Sequence, residues 1–380
     1  MAVVPMFDHE DPLNGIDSGM ALGKKLALIH ETIRVNFPFI SRIAAVLYDA
    51  KTDLLKTFLY SSSDDRPLVH YQAKLGDTPS LLEIVRLGRP RVVNDLAVFE
   101  PGRHEHTQRI RAMGYTSSYT MPMYVRGALF GFLFFNSREE APFTETVLRQ
   151  IDPIGHLIAL TIISDLTSVQ TLLATVKSAR DMGHLRDDET GSHQDRMSRY
   201  TRLIARQLAG KYRFSDEYIE NLTSFSVLHD IGKMGVPDLI LLKPGRLDGG
   251  EFDQMKQHTL KGRKIIDQLV ENYDFGGLPQ VEMLRNIAEM HHEAMDGSGY
   301  PHGIKGEAIP IEARITAVAD VFDALTSRRP YKEAWSNDDA FALLSGLSGV
   351  KLDADCVQAL VEGRNEVEAI QQQFRENDVG

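Results

Sequence analysis

Two adjacent imidazoles, His291 and His292, end a helical pattern and pass directly into the loop Glu293-Ala294-Met295-Asp296-Gly297-Ser298-Gly299-Tyr300-Pro301. Upstream, Leu284, Ile287 and Ala288 recur at three- and four-residue spacing, so His291 extends a stripe that faces a core. An imidazole buried there without a partner costs a few kcal/mol. His292 lies roughly 100° further round the helix, so both rings reach one point only at the edge of the stripe. A helix end with one core and one surface histidine satisfies the same pattern. Convergence separates the two: other segments must bring metal-type groups to the same place.

Four more segments present such groups, each on a helix with a reason to face inward. Glu189 and His193 are four apart and share a face of continuous helix, with Gly191 between them weakening its regularity. His193 also begins the stripe Met197, Tyr200, Ile204. His229 continues the stripe Leu222, Phe225, Ser226; Asp230 follows it, and Lys233 lies within one helical turn. An imidazole beside a carboxylate offers mixed ligation suited to Fe, Mn or Zn, although a simple N–H to carboxylate pair with a solvated lysine fits as well. Asp248 and Glu251 form a capping box that starts a helix carrying Phe252, Met255 and His258, where a satisfied core histidine is the ordinary alternative. Asp320 and Asp323 sit in the apolar helix Ala313–Leu325, where their like charges repel and an unpaired carboxylate is costly. A metal at Asp320 and a hydrogen-bonding role for Asp323 behind the ligands resolve both problems; an arginine pair, for instance with Arg314, is the alternative. Taken together the set is Glu189, His193, His229, Asp230, His258, His291, His292 and Asp320. That many ligands exceed one coordination sphere, so at least two metals follow, and Asp230, flanked by ligands, is the natural bridge.

A chain of 380 residues suggests two domains. The formal charge of −11 denies it a general basic surface, which disfavours DNA as a partner and means that a phosphate substrate needs local cations or metals. A single cysteine, Cys356, excludes an intramolecular disulfide and fits a reducing compartment. With no secretory pattern among the first residues and no apolar run near the roughly 18 needed to span a bilayer, the expected location is cytoplasmic, with no membrane contact. In the first part, a helix is expected over Met20–Phe37, strands over Ile43–Tyr48 and Leu54–Tyr60, a helix over Ser80–Leu87 and a strand over Arg91–Val93. Tyr119–Val125 and Ala128–Asn136 flank the two-residue turn Arg126-Gly127. A long helix follows from Phe143 towards Ala179, with Pro153 as a kink or a break. Ile163, Leu166, Val169, Leu172, Leu173 and Val176 then suit a helix packed on a second copy. This α+β pattern, above all Met121–Ser137 followed by Phe143-Thr144-Glu145, resembles a GAF domain, a resemblance that names no ligand. The expected division is a GAF-like domain over 1–160, a helical linker over 161–186 and a catalytic domain over 187–380.

The order H…HD…H…HH…D, with His229-Asp230-Ile231-Gly232-Lys233, Met255-Lys256-Gln257-His258-Thr259, the loop to Pro301 and Ala317–Lys332, closely resembles the HD-GYP family. The resemblance runs from near Lys177 to near Leu360. It implies an all-helical domain and a bacterial phosphodiesterase that hydrolyses cyclic di-GMP to pGpG, and onward to GMP, at two or three iron or manganese ions. The family's ligands fall on the eight positions above, and a glutamate at Glu189 accompanies a third metal. Its loop residues fall on Tyr300 and Pro301, with Gly297 and Gly299 letting the loop bend close to substrate, and its phosphate-binding cations on Arg329 and Lys332. Lys233, close to His229 and Asp230, is expected to orient the nucleophile. Met295 and Ser226 depart from the family's common residues without removing a ligand. A related substrate, cyclic GMP-AMP, is the alternative within enzymes. A silent scaffold that contacts diguanylate cyclases through the loop is the alternative outside them, and the complete ligand set argues against it. The expected assembly is a dimer through the GAF-like domain and the linker helix.

Overall fold

A computed structural model of the chain describes residues 9–16, 19–62, 68–98, 105–183, 191–272, 280–327 and 333–375. The chain divides into two compact units, 1–168 and 169–380.

The first unit runs α1 (Leu22–Asn36), β1 (Ile40–Asp49), β2 (Leu54–Ser62), β3 (Gln72–Lys74), α2 (Pro79–Leu87), β4 (Arg91–Val93), α3 (Glu105–Ala112), β5 (Ser117–Val125), β6 (Ala128–Ser137) and the start of α4 (Glu145–Gly183). Its described residues form an antiparallel sheet in the order β3-β2-β1-β6-β5-β4. The turn between β5 and β6 has positive φ at both Arg126 (51°) and Gly127 (83°), the backbone twist that a two-residue hairpin favours. One face of the sheet packs Ile43, Leu133 and Phe135 against Leu26, Ile29 and Ile33 of α1 and Ile151 and Ile158 of α4. The other face packs Val46, Phe132 and Phe134 against Leu81 and Ile84 of α2. Two elements escaped the sequence reading. β3 is too short to show alternation, and α3 (EHTQRIRA) is polar almost throughout.

Helix α4 passes through Pro153 without a break. Contrary to the expectation from apolar runs, its segment Glu145–Thr171 is long and apolar enough to cross a membrane by length and composition, with a mean hydropathy of 1.2. Part of that apolar side packs in the core of the first unit, and two of its acids are tied down locally. Asp152 accepts the Tyr119 hydroxyl, and Asp165 pairs with Lys25 at 3.2 Å. Of the stripe expected to meet a second copy, Ile163 and Leu166 pack on the core of the first unit and Val169 joins that of the second. The side chains of Leu172, Leu173 and Val176 lie outside the described residues.

The second unit is helical: α5 (Gly191–Tyr212), α6 (Asp216–Phe225), α7 (Asp238–Leu241), α8 (Gly249–Lys256), α9 (His258–Asn272), α10 (Val281–Met290), α11 (Ile311–Thr326), α12 (Asn337–Leu347), α13 (Ala354–Glu362) and α14 (Arg364–Gln373). Tyr200, Ile204, Leu222, Ile287, Ile315, Val318, Phe322 and Leu360 are fully buried in one continuous core. The capping box is present, with Glu251 N–H donating to Asp248 Oδ1 and Asp248 N–H to Glu251 Oε2, both at 2.8 Å.

Two helix ends correct the sequence reading. α6 stops at Phe225, and His229 and Asp230 lie between the short 3-10 turns Ser226–Leu228 and Ile231–Gly235 rather than on a continuing helix. α8 stops at Lys256, so His258 opens α9 instead of prolonging the stripe of Phe252 and Met255. Gly232 shows why the chain must turn here. A Cβ at this position would fall 1.8 Å from His258 O and 2.4 Å from Gly262 N. Only glycine lets the His229–Asp230 segment press onto the start of α9. Gly232→Ala should therefore cost about 1–3 kcal/mol and lower the unfolding midpoint by several degrees in a calorimetric scan; an unshifted midpoint would mean that the two backbones are not in contact.

Candidate metal centre

The folded chain brings the described candidate ligands into two groups. Asp230, His258, His291 and His292 form one; His193, His229 and Asp320 form the other, the ligand atoms of each lying within 4.8 Å of one another. Asp230 stands between them. Its Oδ1 is 3.2 Å from His258 Nε2 and 3.7 Å from His291 Nε2, while its Oδ2 is 3.2 Å from His229 Nε2 and 2.7 Å from Lys233 Nζ. Asp320 Oδ1 lies 3.7 Å from His229 Nε2. His291 and His292 reach the same group, with ring centroids 4.1 Å apart. Glu189, Arg329 and Lys332 lie outside the described residues.

Four rings have their outer nitrogen committed. Nδ1 of His229 meets Ser226 O at 2.9 Å, that of His258 meets Met255 O at 2.8 Å, and that of His291 meets Ile287 O at 2.9 Å. Nδ1 of His193 meets Asp323 Oδ2 at 2.7 Å. A carbonyl or carboxylate can only accept, so in the neutral ring the proton sits on Nδ1 and Nε2 presents a lone pair inward. His258 Nε2 and His291 Nε2 then face each other at 3.5 Å, acceptor to acceptor. Asp230 Oδ1 is buried among these rings and accepts no hydrogen bond, which agrees with protons held on the far nitrogens. Protonation of His291 and His292 is opposed. Burial lowers the pKa of His291 and, helped by His291, holds that of His292 well below the usual histidine range. For Asp230, burial pushes the carboxyl up, but the Lys233 ammonium 2.7 Å away is the largest influence in the other direction, and the group lies well below the usual carboxylate range. Converging lone pairs around an ionised carboxylate fit divalent cations, and the nitrogen–oxygen donor mixture suits Fe, Mn or Zn.

Behind the ligands, Asp323 is fully buried. It accepts from His193 and also from Arg196, whose Nε lies 2.7 Å from Oδ1 and Nη2 3.1 Å from Oδ2, while the Ser327 hydroxyl adds a bond at 2.9 Å. Burial raises this carboxyl's pKa, but His193 and Arg196 together bring it below the ordinary value. The cation that Asp323 required is thus Arg196, not Arg314, which pairs with Asp353 at 2.6 Å. The available signal was Arg196's position three residues after His193, on the same helix face.

The loop after His292 folds back on the end of α10. Tyr300 N–H donates to His292 O at 3.1 Å, and Met295 and Asp296 N–H bond the carbonyls of Lys351 and Val350. A Cβ on Gly299 would fall 2.3 Å from Ala294 N and 2.5 Å from His292 O. Gly299 is demanded by this backbone contact, whereas Gly297 takes the positive φ of the turn (81°). Half-buried Tyr300 leans on His292, ring centroids 4.7 Å apart, with Pro301 beside it in sequence. Phe252 and Lys256, which the sequence reading did not single out for this place, flank the tyrosine. The Phe252 ring lies 6.3 Å from that of Tyr300, and Lys256 Nζ stands 4.8 Å over the Phe252 ring.

Residues 185–356 match a family model described as an HD domain, and residues 26–162 one described as a GAF domain. Among curated relatives, the cyclic di-GMP phosphodiesterase response regulator RpfG of Xanthomonas campestris pv. campestris is 44% identical over 189 residues, covering 50% of this chain and 47% of the relative. A cyclic di-GMP phosphodiesterase of Thermotoga maritima is 38% identical over 197 residues, covering 52% and 50%. The 3'3'-cGAMP-specific phosphodiesterase 2 of Vibrio cholerae is 37% identical over 185 residues, covering 49% and 33%. The chain spans half the length of these relatives or less.

Asp323→Asn keeps the shape of the buried side chain but loses one of its two acceptor oxygens. It should weaken Mn(II) binding about 10–100-fold in a competitive chelator titration, and an unchanged affinity would detach Asp323 from the centre.

Proposed function

We propose that this chain, a GAF domain followed by an HD domain, is a metal-dependent phosphodiesterase that hydrolyses cyclic di-GMP to pGpG, with GMP as the product of a second round. The observation that carries this reading is the carboxylate of Asp230 set between two groups of inward-facing imidazole nitrogens. The two groups would hold two ions, iron or manganese by donor type, and Glu189 would complete a third position. What divalent ions supply at such a site is Lewis acidity toward a phosphodiester.

The remaining work falls to the chain itself. Lys233 Nζ, 2.7 Å from Asp230 Oδ2, keeps that carboxylate ionised and holds a proton where an attacking water would be oriented. Tyr300, with Pro301 fixing the loop behind it, offers a ring face to a guanine base. Arg329, with planar paired donors, and Lys332, a point charge, would hold the two phosphodiesters of the substrate. Together with Lys233 and Lys256 they would create a local positive field in a chain of net charge −11. The GAF domain is read as the sensor that regulates this activity, in a dimer formed through that domain and the linker helix. Cyclic GMP-AMP is the second reading, favoured by the relative specific for it; both substrates share the phosphodiester ring that the cations would grip.

Two experiments test the assignment. Protein loaded with excess Fe(II) or Mn(II) should cleave cyclic di-GMP faster than cyclic GMP-AMP, and Asp230→Ala should lose both turnover and bound metal. If the loaded protein leaves both dinucleotides intact, the enzymatic reading fails. Glu189→Ala should lower the metal content from about three ions per chain to about two, by elemental analysis of anaerobically purified protein. An unchanged stoichiometry would remove Glu189 from the ligand set.

A further inference from the structure

The first unit buries a cation for which the chemistry of the second has no use. Arg42 on β1 is only 2% exposed. Its Nη1 donates to Asn136 Oδ1 at 2.8 Å, and among the described residues its Nε has no acceptor and no carboxylate pairs with it. Burial lowers the guanidinium's pKa, against small opposing contributions from Tyr115 and Tyr60, only to about 10, so it stays charged at neutral pH. A neutral amide does not balance that charge, and a buried cation without a counter-ion is costly.

The surroundings of Arg42 are polar by strand register. Arg42 stands opposite Ser62 of β2 and Asn136 of β6, and Asn136 stands opposite Ser118 of β5. Residues directly opposite one another share a face, so one polar row crosses four adjacent strands. Asn136 Nδ2 donates to Ser118 Oγ at 3.1 Å, and Ser62 Oγ lies 3.2 Å from the Tyr115 hydroxyl. The next row on this face holds Tyr60, Ala44, Phe134 and Thr120, and beyond it come Val46 and Phe132 of the apolar core. A sheet face that needed only packing would continue those apolar rows.

We infer that Arg42 anchors an oxyanion-binding site in the first unit, which takes a small molecule bearing a carboxylate or a phosphate. With Nη1 engaged by Asn136, the edge formed by Nε and Nη2 presents two parallel N–H donors that match either anion. The hydroxyls of Ser62 and Ser118 on the same row, and that of Tyr115 beside Ser62, supply neutral donors around it.

Thermal unfolding of the full chain, titrated separately with sodium acetate and with inorganic phosphate against sodium chloride of equal ionic strength, tests this site. At least one of the two anions should raise the midpoint in a saturable way beyond chloride. Arg42→Met should weaken that response about tenfold or more, and Ser118→Ala severalfold. A response to acetate alone assigns a carboxylate ligand, and one to phosphate alone a phosphate. Any phosphate bound elsewhere on the chain appears equally in the variants and cancels. Should Arg42→Met not fold, Arg42→Lys replaces it, because lysine keeps the charge but loses the paired donors. Equal anion responses in wild type and variants, or none beyond chloride, would overturn the site and leave Arg42 as a structural cation.

Discussion

The second unit depends on where four imidazole protons sit. Each ring gives its Nδ1–H to a fixed acceptor: a carbonyl for His229, His258 and His291, the Asp323 carboxylate for His193. This leaves the inner nitrogens of His229, His258 and His291 as lone pairs around Asp230, whose own charge is secured by Lys233, and that of His193 in the group with His229 and Asp320. If those protons moved inward, the cluster would become a set of ordinary hydrogen bonds. With them outside, it is an arrangement of lone pairs that suits cations.

The same requirement accounts for the breaks in the helices. Ser226, Met255 and Ile287 lie at or just beyond the C-terminal turns of α6, α8 and α10, and each histidine that uses their carbonyls comes three or four residues later. A ligand placed just past a helix end is aimed by that end. Continuing α6 through His229 would have carried Asp230 away from His258, and Gly232 permits the tight alternative by letting two backbones touch. Behind His193, Arg196 and Ser327 fix Asp323, so that the orientation of one ring rests on a buried network linking α5 and α11.

Much of this was legible in the sequence. The hairpin at Arg126-Gly127 and the capping box at Asp248 need only local rules, and both are present as read. Most of the described candidate ligands stood out as polar residues on otherwise apolar stripes, with Asp230 and His292 adjacent to one, and the fold gathers seven of them. Periodicity failed where the chain leaves the helix. It carried His229 and His258 along stripes that end before them, since a 3-10 turn keeps much the same spacing for a few residues. Arg196 was missed because its partner is 127 residues away, and the backbone contact that demands Gly299 was missed because it leaves no trace in composition. The short β3 and polar α3 carry too little pattern to register.

The central claim is that Asp230 bridges two cation sites defined by inward-facing Nε2 atoms. Anomalous diffraction from crystals grown with Mn(II) addresses it directly. The account predicts one scatterer among Asp230, His258, His291 and His292, and another among Asp230, His193, His229 and Asp320. A map with no scatterer in either place, and with Asp230 hydrogen-bonded to protonated Nε2 atoms, would contradict it.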